Sequence, residues 1–354
     1  MPGLIALAIA MGIGRFAFTP LLPIMQAEAS LGVAQGSWLA SANYLGYLAG
    51  ALLALRLDIP PSRVVRCGLA LVALVTAAMA FTDSYAAWLV LRFAAGVASA
   101  WVLVFVSSWG FARPEVVFAG VGTGIAITGL ACLVLMARSA SADTAWLVLG
   151  SLAAVGTLAT WKAFSARLAP ATPAGTPGFA WTAEAKRLVA CYGAFGFGYI
   201  IPATFLPAMA KQALDDPAKF GWSWPLFGFA AAASTLATGA LRKHVDDRRI
   251  WIAAHVVMAA GVAMPLVIPG LAGVLASALL VGGTFMVATL AGMQEARRVA
   301  GAGARTLIAA MTSAFALGQI AGPVVVGLLD NLPLSLTLAA VLLLGSAGFL
   351  RRTP

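Results

Sequence analysis

The sequence predicts an all-α integral membrane protein whose twelve transmembrane helices form two pseudo-symmetric six-helix bundles. Three observations carry this. Apolar stretches of about 20 residues recur from end to end, each long enough to cross a hydrocarbon core of about 30 Å. Lys and Arg gather in alternate loops. A motif in the first apolar stretch returns at a constant offset of 184 residues, behind a polar linker.

The chain has 354 residues, 62% hydrophobic and 10% charged, more apolar surface than a soluble domain can cover. The spans read as 4–25, 36–57, 64–82, 86–110, 117–137, 144–166, 187–209, 221–241, 250–268, 270–292, 305–328 and 334–350. Twelve spans in 354 residues leave about 29 residues for each span with its loop, so no soluble domain fits between them. Span one contains GIGRFAFTPLLPIM (12–25), with Arg15 mid-run and Pro20 and Pro23 beyond it. The Gln26–Ala29 segment imitates a signal-cleavage site, but no basic region precedes it, so span one is read as retained. The chain enters this span almost at once, which leads us to expect that a short cytoplasmic leader is missing or dispensable.

With the N-terminus in the cytoplasm, 17 of the 22 Lys and Arg fall on the cytoplasmic side. Only Arg138, Lys211 and Lys219 fall opposite, with Arg15 and Arg92 inside spans. This positive-inside bias puts both termini in the cytoplasm and the protein in the cytoplasmic (inner) membrane. The net charge of +10 is then topology and anionic-lipid contact, with no nucleic-acid partner. Cys67, Cys132 and Cys191 lie in different spans without metal spacing, so no disulfide, metal site or cofactor is expected.

The interval 167–185, rich in Pro, Ala, Thr and Gly, marks a cytoplasmic linker between a bundle at 1–166 and a bundle at 186–354. Gly12-Ile13-Gly14 reappears as Gly196-Phe197-Gly198, and Leu22-Pro23-Ile24-Met25 as Leu206-Pro207-Ala208-Met209. Thr123 and Gly129 pair more weakly with Thr312 and Gly318, the drift being absorbed by the loop around 215–220. Two six-helix halves with internal symmetry point to a secondary transporter, its site between the halves and its motion a rocking of one against the other.

With this architecture, GIGRFAFTPLLPIM and GSWLASANYLGYLAGAL (36–52) resemble the YbfB/YjiJ branch of the major facilitator superfamily over the whole chain. The resemblance implies a monomer whose central cavity is lined by spans one, four, seven and ten, which adds Thr284 in span ten to the candidates. It also implies gating roles for Asp58 and Arg63 in the loop after span two, where the aspartate of the family motif survives and its glycines do not. Asp246 and Arg248 occupy the equivalent loop of the second half. Arg92-Phe93-Ala94-Ala95-Gly96 matches the R-x-x-x-G core linked to proton coupling in the superfamily, so Arg92 and Gly96 are coupling candidates. The glycine-rich antiporter motif is incomplete: span five has Gly120, Gly122, Gly124 and Gly129 without its proline, and Pro323 follows Gly322 in span eleven.

A mid-membrane arginine costs about 2.5–3.5 kcal/mol on insertion scales and stays charged, so water, an acceptor or an anion must offset it. Arg15 and Arg92 reach overlapping depths, about 17 and 10 Å from opposite faces. All twelve carboxylates lie at span ends or in loops. Two arginines with no acid favour a small organic anion, a carboxylate, held by forked hydrogen bonds. Arg15 has a second use open to it, bonding to carbonyls freed by Pro20 or the glycines. Arg92 divides between gating or packing and ligand contact. Thr19 shares the face of Arg15, Tyr199 sits at its repeat position, and Tyr192 lies on the face of Tyr199. Asn43, Tyr44 and Tyr47 form a polar-aromatic run in span two, and Gln319 is a mid-span amide needing partners. His255, mid-span in nine, is a weaker proton-switch candidate.

Enzyme chemistry is not expected: Asp246-Asp247 is a lone acidic pair, and no H-E-x-x-H or G-x-S-x-G occurs. Two alternatives stay open, an efflux antiporter for amphipathic compounds and a transporter-like sensor without flux.

Overall fold

In a computed structural model, residues 1–29, 31, 33–109, 111–164, 179–213, 221–329 and 331–351 are described. Span one is built of Pro2–Leu7, a π-turn at Ala8–Ile13 and Phe18–Ala29, and span two is Val33–Ala54. Span three is Pro61–Ala78, span four Tyr85–Ser108, span five Pro114–Ala137 and span six Ala142–Trp161. Span seven is Ala183–Ala213, span eight Ser223–Leu241 and span nine Asp247–Val267. Span ten is Leu271–Ala300, span eleven Ala304–Leu329 and span twelve Leu332–Arg351. Among the described residues, ten continuous helical stretches are long and apolar enough to cross a membrane; the longest, Leu271–Leu329, holds spans ten and eleven, and span two completes the twelve.

The starts of these helices follow local chemistry. Pro61 and Pro114 stand in the first turn, where a missing N–H costs nothing. Ser84, Ser141 and Asp246 cap spans four, six and nine by accepting from the backbone N–H three residues on. Two helices outrun the expected spans. Span ten continues to Ala300 through Glu295, Arg297 and Arg298, because that charged turn is held by ion pairs. Span seven begins at Ala183, inside the expected linker. Most of that linker, and the loop around 215–220, lie outside the described residues.

Packing repeats across the two halves. Span two packs on four as eight packs on ten, three on six as nine on twelve, and one on five as seven on eleven. Spans five with eight, and two with eleven, join the halves. Glycine allows the closest approaches: a Cβ on Gly122 would strike the Ala232 amide, and one on Gly228 the Ala126 amide. In each half the fifth-helix glycines face the first helix, Gly120 and Gly124 against Leu4 and Ala8, Gly318 and Gly322 against Gly193 and Ile200. The protein is therefore an all-helical, multi-pass membrane protein of two similarly packed bundles.

Candidate functional site

The site grows from the break in span one. Pro20 has no N–H to offer the Phe16 carbonyl and crowds it, while Gly12 and Gly14 make the preceding turn pliable. The backbone slips into longer bonds, Gly14 N–H to Ile9 O (2.9 Å) and Phe16 N–H to Met11 O (3.1 Å). Side chains from neighbouring spans meet the carbonyls at the break. Arg92 donates to Gly14 O (3.4 Å) and Arg15 O (3.2 Å). Asn43 Nδ2 donates to Gly14 O (3.3 Å) and to Arg92 O (3.0 Å), and Ser99 Oγ to Ala10 O (2.6 Å). The carbonyls at the break are thus held by Arg92 and Asn43, which leaves the side chain of Arg15 for other work.

Arg15 is 2% exposed, and its guanidinium points away from its own backbone clamp toward span eleven. Nη2 donates to Gln319 Oε1, and Gln319 Nε2 in turn donates to the Tyr199 hydroxyl. The guanidinium lies over the Tyr47 ring at 3.9 Å, with Phe16, Tyr44 and Phe315 at 5.5, 5.6 and 5.8 Å. Those ring faces offset part of the desolvation of the cation. The hydrogen-bonding account stays open, however: Nε and Nη1 have no partner among the described residues. Three of the five guanidinium N–H donors are therefore unspent in a buried place. Behind Gln319, Tyr199 is sandwiched between Phe285 (4.7 Å, 12°) and Phe315 (5.3 Å, 11°), and Phe285 meets Phe16 edge-on at 5.8 Å.

Arg15, Tyr44, Tyr47, Tyr199 and Gln319 thus converge, with Arg92 and Asn43 supporting them from behind. The other predicted residues sit elsewhere. Thr19 is half-buried just past the break. The Thr284 hydroxyl is spent on Leu280 O (2.6 Å) and Val281 O (3.3 Å). Tyr192 packs among Phe195, Trp251 and Phe315 rather than against Arg15. A Cβ on Gly96 would press on Asn43 and Tyr47, so this glycine is a contact point of spans two and four. Asp58 and Arg63 are exposed and in no ion pair among the described residues. Asp246 caps span nine and pairs with Arg249 at 3.1 Å.

Arg248 belongs to a chain of charges. It pairs with Glu184 and, through Nε, with Glu295 (2.8 Å); Glu184 also accepts from Arg187 (2.8 Å), and Glu295 from Arg298 (2.7 Å). Spans seven, nine and ten are tied together at that end. At the same end Arg297 crosses to donate to Ser108 O of span four (3.1 Å), and Arg305 lies over Phe105 at 5.7 Å. Sequence reasoning missed Ser99, Phe285 and Phe315. Ser99 is seven residues after Arg92 and Phe315 four before Gln319, same-face spacings that could have flagged both. Among the described residues no cluster of His, Cys, Asp and Glu could hold a metal.

A profile of the family described as "Uncharacterised MFS-type transporter YbfB" matches residues 7–350. The chain belongs to this family. Members of the major facilitator superfamily move solutes across membranes and are not enzymes, so the protein is a transporter by family. Among curated proteins none matches the chain. Many solved structures do. One is the crystal structure of the human organic anion transporter MFSD10 (TETRAN), with a TM-score of 0.73 over 99% of both chains at 16% identity, a likeness of fold.

Proposed function

We propose that this YbfB-type protein is a secondary transporter that carries a small organic anion, a carboxylate, by alternating access between its two bundles. One observation carries the reading: a permanently charged guanidinium, buried at the junction of the halves, keeps Nε and Nη1 unpaired, with no carboxylate beside it among the described residues. A carboxylate would take those donors in forked geometry and neutralise the charge. The organic anion transporter that shares the fold is consistent with this. The halves are taken as 1–166 and 186–354, which the repeated packing supports. The distribution of Lys and Arg supports cytoplasmic termini and the inner membrane. Proton coupling rests on the Arg92-x-x-x-Gly96 resemblance alone, since the carboxylates all lie at span ends or in loops.

The ring cluster of Phe16, Tyr199, Phe285 and Phe315 favours a second reading, efflux of amphipathic compounds. A thermal-shift panel of carboxylates and cationic amphiphiles on the purified chain separates the two. The carboxylate reading expects stabilisation by carboxylates and its loss in Arg15→Ala, together with loss of flux in proteoliposomes. Full transport by Arg15→Ala would overturn it.

A further inference from the structure

Gln319 accepts a hydrogen bond from the Arg15 guanidinium, and it comes from the opposite half of the protein. Its orientation is fixed by chemistry, because only Oε1 can accept from a cation, so Nε2 must face Tyr199. The group lodged between Arg15 and Tyr199 is thus a planar O–C–N unit, the size and shape of a carboxylate. It is walled by Tyr47 under the guanidinium and by the Phe285–Tyr199–Phe315 stack behind. The amide fits this place less well than an anion would. It carries no charge to cancel that of Arg15, and it leaves Nε and Nη1 without acceptors.

We infer that the Gln319 side chain is a stand-in for the substrate's carboxylate: it occupies the carboxylate subsite while the two halves are closed over Arg15, and cargo must displace it. This rests on the reading of Arg15 as the anion anchor. A carboxylate there would receive the Arg15 fork on one oxygen or both, and the Tyr199 hydroxyl, which now accepts from the amide, would turn to donate. Displacement also breaks a bond that joins span one to span eleven across the halves, so the arrival of cargo and the release of the closed state are one event. Gln319 is then a residue that sets affinity, since it competes with the cargo for the same donors. The flat aromatic walls favour a cargo whose carboxylate is attached to a planar apolar body, for which benzoate is the simplest probe and acetate the control lacking the body.

The test uses the full chain in nanodiscs and three forms, wild type, Gln319→Glu and Gln319→Ala. Gln319→Glu supplies the carboxylate covalently, so its unfolding midpoint should rise by about 3 °C or more with no ligand added. Benzoate should stabilise the wild type, bind roughly 10-fold more tightly to Gln319→Ala, from which the competitor has been removed, and not bind Gln319→Glu. A fall in the midpoint of Gln319→Glu, or equal benzoate affinity in Gln319→Glu and wild type, would overturn the inference while leaving anion binding standing. A rise in Gln319→Glu, with no carboxylate stabilising wild type or Gln319→Ala, would show only an ion pair to Arg15 and would sink the anion-transport reading, and this inference with it.

Discussion

Replacing Gly96 by alanine should loosen the whole anchor without touching it. A methyl group there would lie far inside contact distance of the Asn43 carbonyl oxygen, 3.0 Å from the Asn43 carbonyl carbon and 2.8 Å from the Tyr47 amide nitrogen. These are backbone atoms and cannot swing aside, so spans two and four must part by about 1 Å. The Asn43 bonds to Arg92 O (3.0 Å) and Gly14 O (3.3 Å) would then stretch past useful length. Overpacking costs about 1–3 kcal/mol and each lost bond about 1 kcal/mol, while Gly→Ala in a helix returns about 0.5–1 kcal/mol. The net loss is about 3 kcal/mol. For 354 residues an unfolding entropy of about 2.1 cal/mol/K per residue converts this to a drop of about 4 °C in Tm. Tyr47 moves with span two, and with it the ring under Arg15, so carboxylate affinity should fall as well. Differential scanning fluorimetry on the purified protein reads the first effect and equilibrium binding the second. Gly283→Ala is the control, since no atom lies within 4 Å of a Cβ there and the change should be neutral or slightly stabilising. An unaltered Tm in Gly96→Ala would refute the close approach of spans two and four.

Two further outcomes are expected. Glu295→Gln removes a carboxylate whose side chain is 2% exposed and which bonds Arg248 and Arg298. Because Arg298 is 66% exposed and Arg248 keeps Glu184, the loss should be about 2–3 kcal/mol, below that of a fully buried pair, and thermal denaturation should show a Tm lower by about 3–4 °C. Second, a carboxylate carried as proposed, with no acid beside the arginines to accompany it with a proton, should give electrogenic flux; electroneutral flux would instead mark the proton coupling that the Arg92-x-x-x-Gly96 resemblance implies. An inside-negative potential of about 100 mV should favour export by about 2.3 kcal/mol per charge, and flux unchanged under a potassium–valinomycin potential would contradict this.

Much of the fold was legible because the membrane demands it: a run of about 20 apolar residues must be a helix, and charged loops alternate in sign of topology rather than of fold. The helix ends were less legible. The turn from Gln294 to Arg298 is as polar as a loop, yet it stays helical through Glu295 pairing with Arg248, 47 residues away, a contact no local pattern announces. At the site, Pro20 and the neighbouring glycines signalled a break with carbonyls to be met. They could not say which donor would meet them, and the structure gives that work to Arg92 and Asn43. Gln319 stood out as a mid-span amide that needed partners. Phe285 and Phe315 did not, because aromatic residues at helical spacing are ordinary packing until their neighbours are known. The crossing from Arg297 to Ser108 joins residues 189 apart and lies beyond any reading of pattern.

The two ends of Arg15 answer to different bodies. Its main-chain carbonyl is clasped by Arg92 of span four, with Asn43 of span two holding the carbonyl of Gly14 just before it, and its tip is tethered to span eleven. Such a residue works like a lever across a seam: when the bodies tilt, the long pliable stem absorbs the first displacement and the tether gives way only later. The fulcrum stays put while the tip is freed. Under the alternating access proposed above, the same cationic head would be presented to either compartment in turn, without the break in span one having to be rebuilt on each cycle.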